Sequence, residues 1–309
     1  MRFIINESAL LTESSAPAQK DSTLPEGSLH YSSVSLPDKP LITGGKSGSR
    51  APLNLREIWE YRELLYFLTW RDIKVRYKQT AMGAAWAIVQ PLFTMLVFTL
   101  FFSIFVGVPS DGIPYPIFAY AGLLPWTFFA GAVSNCSNSI IGSAGLITKV
   151  YFPRMLIPAA SVGAGLVDIL VATVILIALT LLYGVTLSGS LVVIPLLTVL
   201  TMVLALGAGI LIAALTARYR DVRHVLPFVL QLWMFASPII YPLSVVPEKW
   251  RWALELNPLT GIIEGFRSSL MGRAFNWRAL IVSSVVALAL LICSGFVFRR
   301  LEKSFADVM

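Results

Sequence analysis

The 309 residues predict an all-α membrane protein that crosses the bilayer six times. Three observations carry this. Hydrophobic residues make up 56% of the chain and charged residues 13%, about half the charged share of an ordinary soluble domain. The apolar residues gather in six runs, at 84–106, 115–134, 157–183, 190–215, 225–242 and 279–298, each near the ~20 residues that cross the hydrocarbon core. The basic residues are distributed unevenly around those runs. The N-terminal region and the alternate connections hold 19 of the 24 Lys and Arg, among them Lys149, Arg154, Arg218, Arg220, Arg223, Arg299, Arg300 and Lys303. The remaining connections are nearly uncharged (107–114 and 184–189) or mixed in sign (243–278). By the positive-inside rule both termini are expected in the cytoplasm.

Residues 1–50 are rich in Ser, Pro, Gly and Thr and lack apolar periodicity, so they predict a disordered cytoplasmic tail. No apolar region of secretory-signal type follows the first residues. Gly45-Lys46-Ser47 resembles the end of a phosphate-binding loop. That pattern needs Gly at position 40, which is Pro40, and no strand precedes it. If ATP is used, another chain is expected to bind it.

Residues 51–80 predict an amphipathic helix lying in the membrane plane. At 100° per residue, Leu55, Ile58, Trp59, Leu65, Tyr66, Trp70, Ile73 and Tyr77 fall in a sector of roughly 140°. Arg62 and Arg76 intrude on it, and long cationic stems can snorkel at a bilayer surface. A helix packed on a soluble partner is the alternative. The six-span domain then occupies 81–300, and residues 301–309 form a short cytoplasmic tail.

Within the spans one acid stands out. Asp168 lies in the third run, without a basic partner inside any span. An intramembrane carboxylate is costly and is read first as functional; a hydrogen-bonded structural acid is the other reading. Gly163, Ala164 and Gly165 before it permit close helix packing. The first run carries Phe98, Phe101, Phe102 and Phe105 at i, i+3, i+4 and i+7, with Trp86 and Phe93 nearer its start. Such a stripe faces lipid, a neighbouring helix or a sliding sugar polymer. Trp233 and Tyr241 in the fifth run carry the same ambiguity.

The fifth run ends in Ser237-Pro238-Ile239-Ile240-Tyr241-Pro242. Two prolines each remove a backbone donor, and irregular backbone at membrane depth survives only under cover of protein or a water-filled cavity. Trp250 and Trp252 follow, suited to the headgroup level. Asn257 and Pro258 then match an N-cap and first helical position, ahead of an apolar face with Phe266 and of Arg267. Short re-entrant helices are therefore expected between spans five and six. On the cytoplasmic side, Lys149 to Arg154, with Tyr151 and Phe152, read either as a partner-docking cluster or as a piece packed under the bundle. Two Cys without CxxC spacing and two His in unrelated segments suggest no disulfide framework, metal site or His-based catalysis. The net charge of +7 is read as facing anionic lipid rather than nucleic acid.

Several motifs resemble ABC-2 type polysaccharide export permeases. Asp72-Ile73-Lys74-Val75-Arg76-Tyr77-Lys78-Gln79, Gly83-Ala84-Ala85-Trp86 and Gln90-Pro91-Leu92 are similar to that family's entry segment. Lys149 to Arg154, Arg218-Tyr219-Arg220-Asp221-Val222, Ser237 to Pro242 and Asn257 to Arg267 follow in order. The resemblance implies a bacterial inner-membrane homodimer that exports a lipid-linked glycan such as O antigen, the polymer of lipopolysaccharide, with two copies of a cytoplasmic ATPase. The permease itself would be no enzyme and hold no cofactor; ATP and magnesium would sit on the partner. Spans one and five would line the channel through Trp86, Phe93, Phe98, Phe101, Phe102, Phe105, Trp233 and Tyr241. An outer gate would involve Pro238, Pro242, Trp250, Trp252, Asn257, Pro258, Phe266 and Arg267. Lys149, Tyr151, Phe152, Arg154, Arg218, Arg220 and Asp221 would couple to the ATPase. A secondary transporter or channel would be expected to carry several intramembrane ionisable groups, and a membrane-embedded transferase clustered acids, His or metal ligands.

Overall fold

The computed structural model describes residues 59–78, 85–147, 149–150 and 152–302. The expected tail over 1–50, the start of the interfacial helix with Leu55 and Ile58, the Gln79 to Ala84 part of the entry motif, Tyr151 and residues 303–309 lie outside them. Every regular element among the described residues is helical. The α-helices are α1 (Arg62–Lys78), α2 (Ala85–Phe98), α3 (Tyr115–Gly142), α4 (Ala144–Ile147), α5 (Leu156–Ala164), α6 (Leu166–Leu182), α7 (Ile194–Arg218), α8 (Val222–Phe235), α9 (Glu248–Glu255), α10 (Pro258–Met271) and α11 (Trp277–Glu302), joined by a π-helix over Thr99–Phe105 and short 3-10 turns over Gly189–Val193 and Leu243–Val245. Among the described residues, five helical stretches are long and apolar enough to cross a membrane: Ile88–Phe105, Tyr115–Gly142, Leu156–Leu182, Gly189–Arg218 and Trp277–Glu302. At the place of the expected fifth span stands α8, with 14 residues. At 1.5 Å per residue it reaches about 21 Å, short of the ~30 Å hydrocarbon core.

Burial divides these helices sharply. α7 packs most extensively on α11 and α3. α3 forms the heart of the bundle, with Ile117, Ala119, Phe129, Cys136 and Ile140 fully buried. α2 has no buried residue across its apolar window. α10 is the surprise of the 243–278 connection: every residue from Pro258 to Leu270 except Glu264 is buried. It is wedged among α3, α7 and α11. Gly261 permits this, because a Cβ there would lie 2.3 Å from the Ala279 carbonyl oxygen.

α1 packs on α5. Its buried side is centred on Leu68, which joins Phe152, Leu156, Ile157 and Ala160 in a second, smaller core with Tyr61, Leu64 and Leu65 against it. Trp59, Tyr66, Phe67 and Trp70 stay exposed. The single apolar sector expected from the helical wheel is thus two faces, one against the bundle and one left for lipid. The small residues ahead of Asp168 do permit close approach: Gly163 meets Thr69 of α1, and Gly165 meets Phe128 of α3.

Candidate functional site

α8 stops at Phe235, three residues before Pro238, as helices usually end at or before the residue preceding a proline. The chain beyond it runs without a helical ladder to Pro242, yet Ser237 to Ile240 are buried. Their carbonyls need partners, and side chains from α3, α10 and the α10 cap supply them. Arg267 donates through Nη1 to the Pro238 oxygen at 2.7 Å and through Nη2 to the Ile239 oxygen at 2.8 Å. Tyr115 donates its hydroxyl to the Ile240 oxygen at 2.9 Å. Asn257 donates Nδ2 to Ser237 Oγ at 2.8 Å and, more distantly, to the Ala236 oxygen. Its Oδ1 accepts from the Leu259 N–H, capping α10, and from Trp233 Nε1, both at 3.1 Å.

Arg267 is 4% exposed. Its charge is met by Glu264 at 2.9 Å and by the face of Phe118, with Cζ 3.5 Å from the ring centroid. The guanidinium fork suits this task, since several donors point in fixed directions. Gly122 makes the slot: a Cβ there would come within 2.9 Å of Arg267 Nη2 and 3.3 Å of Ile239 Cα. Among the expected gate residues, Pro238, Pro242, Pro258, Phe266 and Arg267 are buried structural parts of the break after α8. Trp250 and Trp252, on α9, are 57% and 58% exposed. Nearby, Ser244 donates to the Asp111 carboxylate at 2.8 Å, and Arg273 donates to the Asp111 carbonyl.

The channel candidates separate in the same way. From Thr99 to Phe105 the first span is wound as a π-helix, whose wider turn changes which residues share a face. The expected four-Phe stripe becomes two edge-to-face pairs, Phe98 with Phe102 and Phe101 with Phe105, each 5.6 Å between centroids. Phe98 and Phe102 pack against the core. Phe101 and Phe105 are open, as are Trp86 and Phe93. Trp233 is held by Asn257 and by the edge of Phe129 at 5.2 Å, and Tyr241 is half-buried.

Asp168 finds its basic partner outside the spans. Arg76, at the end of α1, pairs with Oδ2, and Tyr77 donates its hydroxyl to Oδ1. Burial first, then the bond to Asp168, pushes the Tyr77 phenol above its usual range, so it remains a donor. The three residues line a cavity of about 770 Å³ between α1, α2, α3 and α6.

The model of the ABC-2 type transporter family matches residues 63–271. This chain belongs to that family. Its similar relatives include the O-antigen export system permease protein RfbA of Myxococcus xanthus, 29% identical over 82% of this chain and 98% of the relative. The protein of the same name from Klebsiella pneumoniae is 30% identical over 80% of this chain and 95% of the relative. The polysialic acid transport protein KpsM of Escherichia coli is 27% identical over 71% of this chain and 89% of the relative.

In this ABC-2 type chain Lys149, Arg218, Arg220 and Asp221 are exposed, the last three where α7 meets α8. Two other expected coupling residues have internal duties. Phe152 is buried in the small core under α1. Arg154 donates to the Glu302 carbonyl at 3.0 Å and lies 3.8 Å from its carboxylate, tying the end of α11 to the start of α5. Composition alone did not show that the 149–154 cluster is split between surface and core. Tyr115, Phe118 and Gly122 were missed as parts of the cover over the break after α8 because, in sequence, they are ordinary apolar-span residues.

Proposed function

We propose that this chain is the transmembrane subunit of an ABC exporter that moves a lipid-linked polysaccharide, of O-antigen type, across the bacterial inner membrane. It works as a homodimer with two copies of a separate cytoplasmic ATPase, which holds ATP and magnesium; the permease makes and breaks no covalent bond. Both termini lie in the cytoplasm on this reading, so the protein-covered break after α8 faces outward. The observation that carries the proposal is the coincidence of two things: near-complete coverage of O-antigen permeases and an apolar bundle whose first span leaves Trp86, Phe93, Phe101 and Phe105 uncovered. Aromatic faces of this kind offer a neutral, hydroxyl-rich chain many weak contacts and no strong one, which suits sliding. The uncovered α2 and the exposed Phe228, Leu232 and Phe235 of α8 are available to a second copy. Lys149, Arg218, Arg220 and Asp221 supply the polar surface for the ATPase.

Deleting the gene tests this in the cell. Lipid-linked polymer should accumulate on the cytoplasmic face while surface polymer disappears, and a plasmid copy should restore it. Normal surface polymer in the deletion strain would overturn the assignment.

A further inference from the structure

We propose that the cavity bounded by α1, α2, α3 and α6 binds a zwitterionic aminophospholipid, with its phosphate facing Arg76 and its ammonium facing Asp168. At about 770 Å³ the space lies within the roughly 300–1,000 Å³ of small-ligand pockets. Its walls combine apolar faces with a charged, hydrogen-bonded cluster. Trp86, Trp126 and Phe128 supply the former, and Arg76, Tyr77 and Asp168 the latter.

The charge pattern selects the ligand. Arg76 and Asp168 are the charged residues among the described lining, and their contact leaves the cavity electrically balanced. They are not consumed by each other, since their side chains remain 28% and 32% exposed. A purely anionic head would gain from Arg76 and be repelled by Asp168. A head carrying both signs meets both residues and extends the pair into four alternating charges, offsetting the desolvation of an ion pair within an apolar bundle. Tyr77 holds the carboxylate from the other side, and the neutral donors and acceptors of Gln90, Thr127 and Asn135 suit glycerol and ester oxygens. The aromatic walls fit an acyl chain. Position favours lipid over a soluble ligand: Trp86 and Gln90 on α2 are exposed at the cavity edge, on the span that has no buried residue. Gly131 lines the lumen, and a Cβ there would meet nothing within 4 Å, so the space is open at that point.

Native mass spectrometry of the full-length chain, delipidated in complex with its ATPase, tests this with phosphatidylethanolamine and phosphatidylglycerol. Wild type should retain phosphatidylethanolamine with a preference of roughly tenfold. Asp168→Asn should bring that preference below about twofold. Gly131→Leu, which fills the lumen and leaves the ion pair in place, should lower occupancy by both lipids. Equal retention of the two lipids by wild type would overturn the proposal. If Asp168→Asn does not yield a folded complex, Gly131→Leu decides: phosphatidylethanolamine occupancy equal to wild type rejects the site.

Discussion

Arg267 replaces a missing length of helix. Once Pro238 ends α8, the buried carbonyls of Pro238 and Ile239 have no backbone donor, and the guanidinium supplies both. Arg267→Leu should therefore cost about 3–5 kcal/mol, the range for breaking a buried charge pair. It strands Glu264 and two carbonyls together. Arg267→Lys keeps the charge but loses the fork, and should recover only part of the loss; thermal unfolding of the detergent-purified permease would show both. The Asp168 group follows a different rule, because its partners are only part-buried. Asp168→Asn should cost about 1–3 kcal/mol, and Arg76→Gln in the same molecule should add less than it does alone, since both remove one interaction. A double-mutant cycle that came out additive would mean the pair does not hold α1 to α6. The sequence carried a hint of this pair: Arg76 lay on the apolar side of its helix, and Asp168 lay in an apolar span. What it could not supply was the 3D proximity of two isolated, opposite charges 92 residues apart.

At the scale of elements, the connection after α8 contains two helices of opposite character. α9 holds Trp250 and Trp252 at its surface, whereas α10 is a core helix with Phe266 fully buried. Trp250→Ala with Trp252→Ala should change stability by less than about 1 kcal/mol, and Phe266→Ala should cost about 3–5 kcal/mol, read by the same unfolding assay. Sequence signals located both helices, through Trp250 and Trp252, the Asn257 cap and the apolar face that follows. They did not reveal that α10 sits inside the bundle, because that depends on Gly261 meeting the α11 backbone. A similar reason explains the first span. A wheel at 100° per residue joins four phenylalanines, and the π-wound turn separates them into a packed pair and an open pair. Phe101→Ala with Phe105→Ala should consequently reduce export of polymer several-fold with little effect on folding, while Phe98→Ala with Phe102→Ala should lower stability; surface-polymer immunoblots beside unfolding curves separate the two.

For the molecule as a whole, hydropathy and charge gave the membrane class and the number of apolar runs, because lipid imposes a length and a composition on each crossing. The short fifth helix was the part they could not measure: the apolar run continues to Tyr241, and only side-chain donors from α3 and α10 let the backbone leave the helix there. An uncovered first span, a protein-covered break after α8 and exposed basic residues where α7 meets α8 form the whole-molecule pattern that accompanies the export assignment. The central claim is that this chain conducts a lipid-linked polymer only when a separate ATPase drives it. Reconstitution into proteoliposomes with and without that ATPase is the direct measurement, using labelled lipid-linked polysaccharide and ATP. Transfer of polymer to the opposite face should require both the ATPase and hydrolysable ATP. Transfer by this chain alone, or transfer driven by an ion gradient in the absence of ATP, would contradict it.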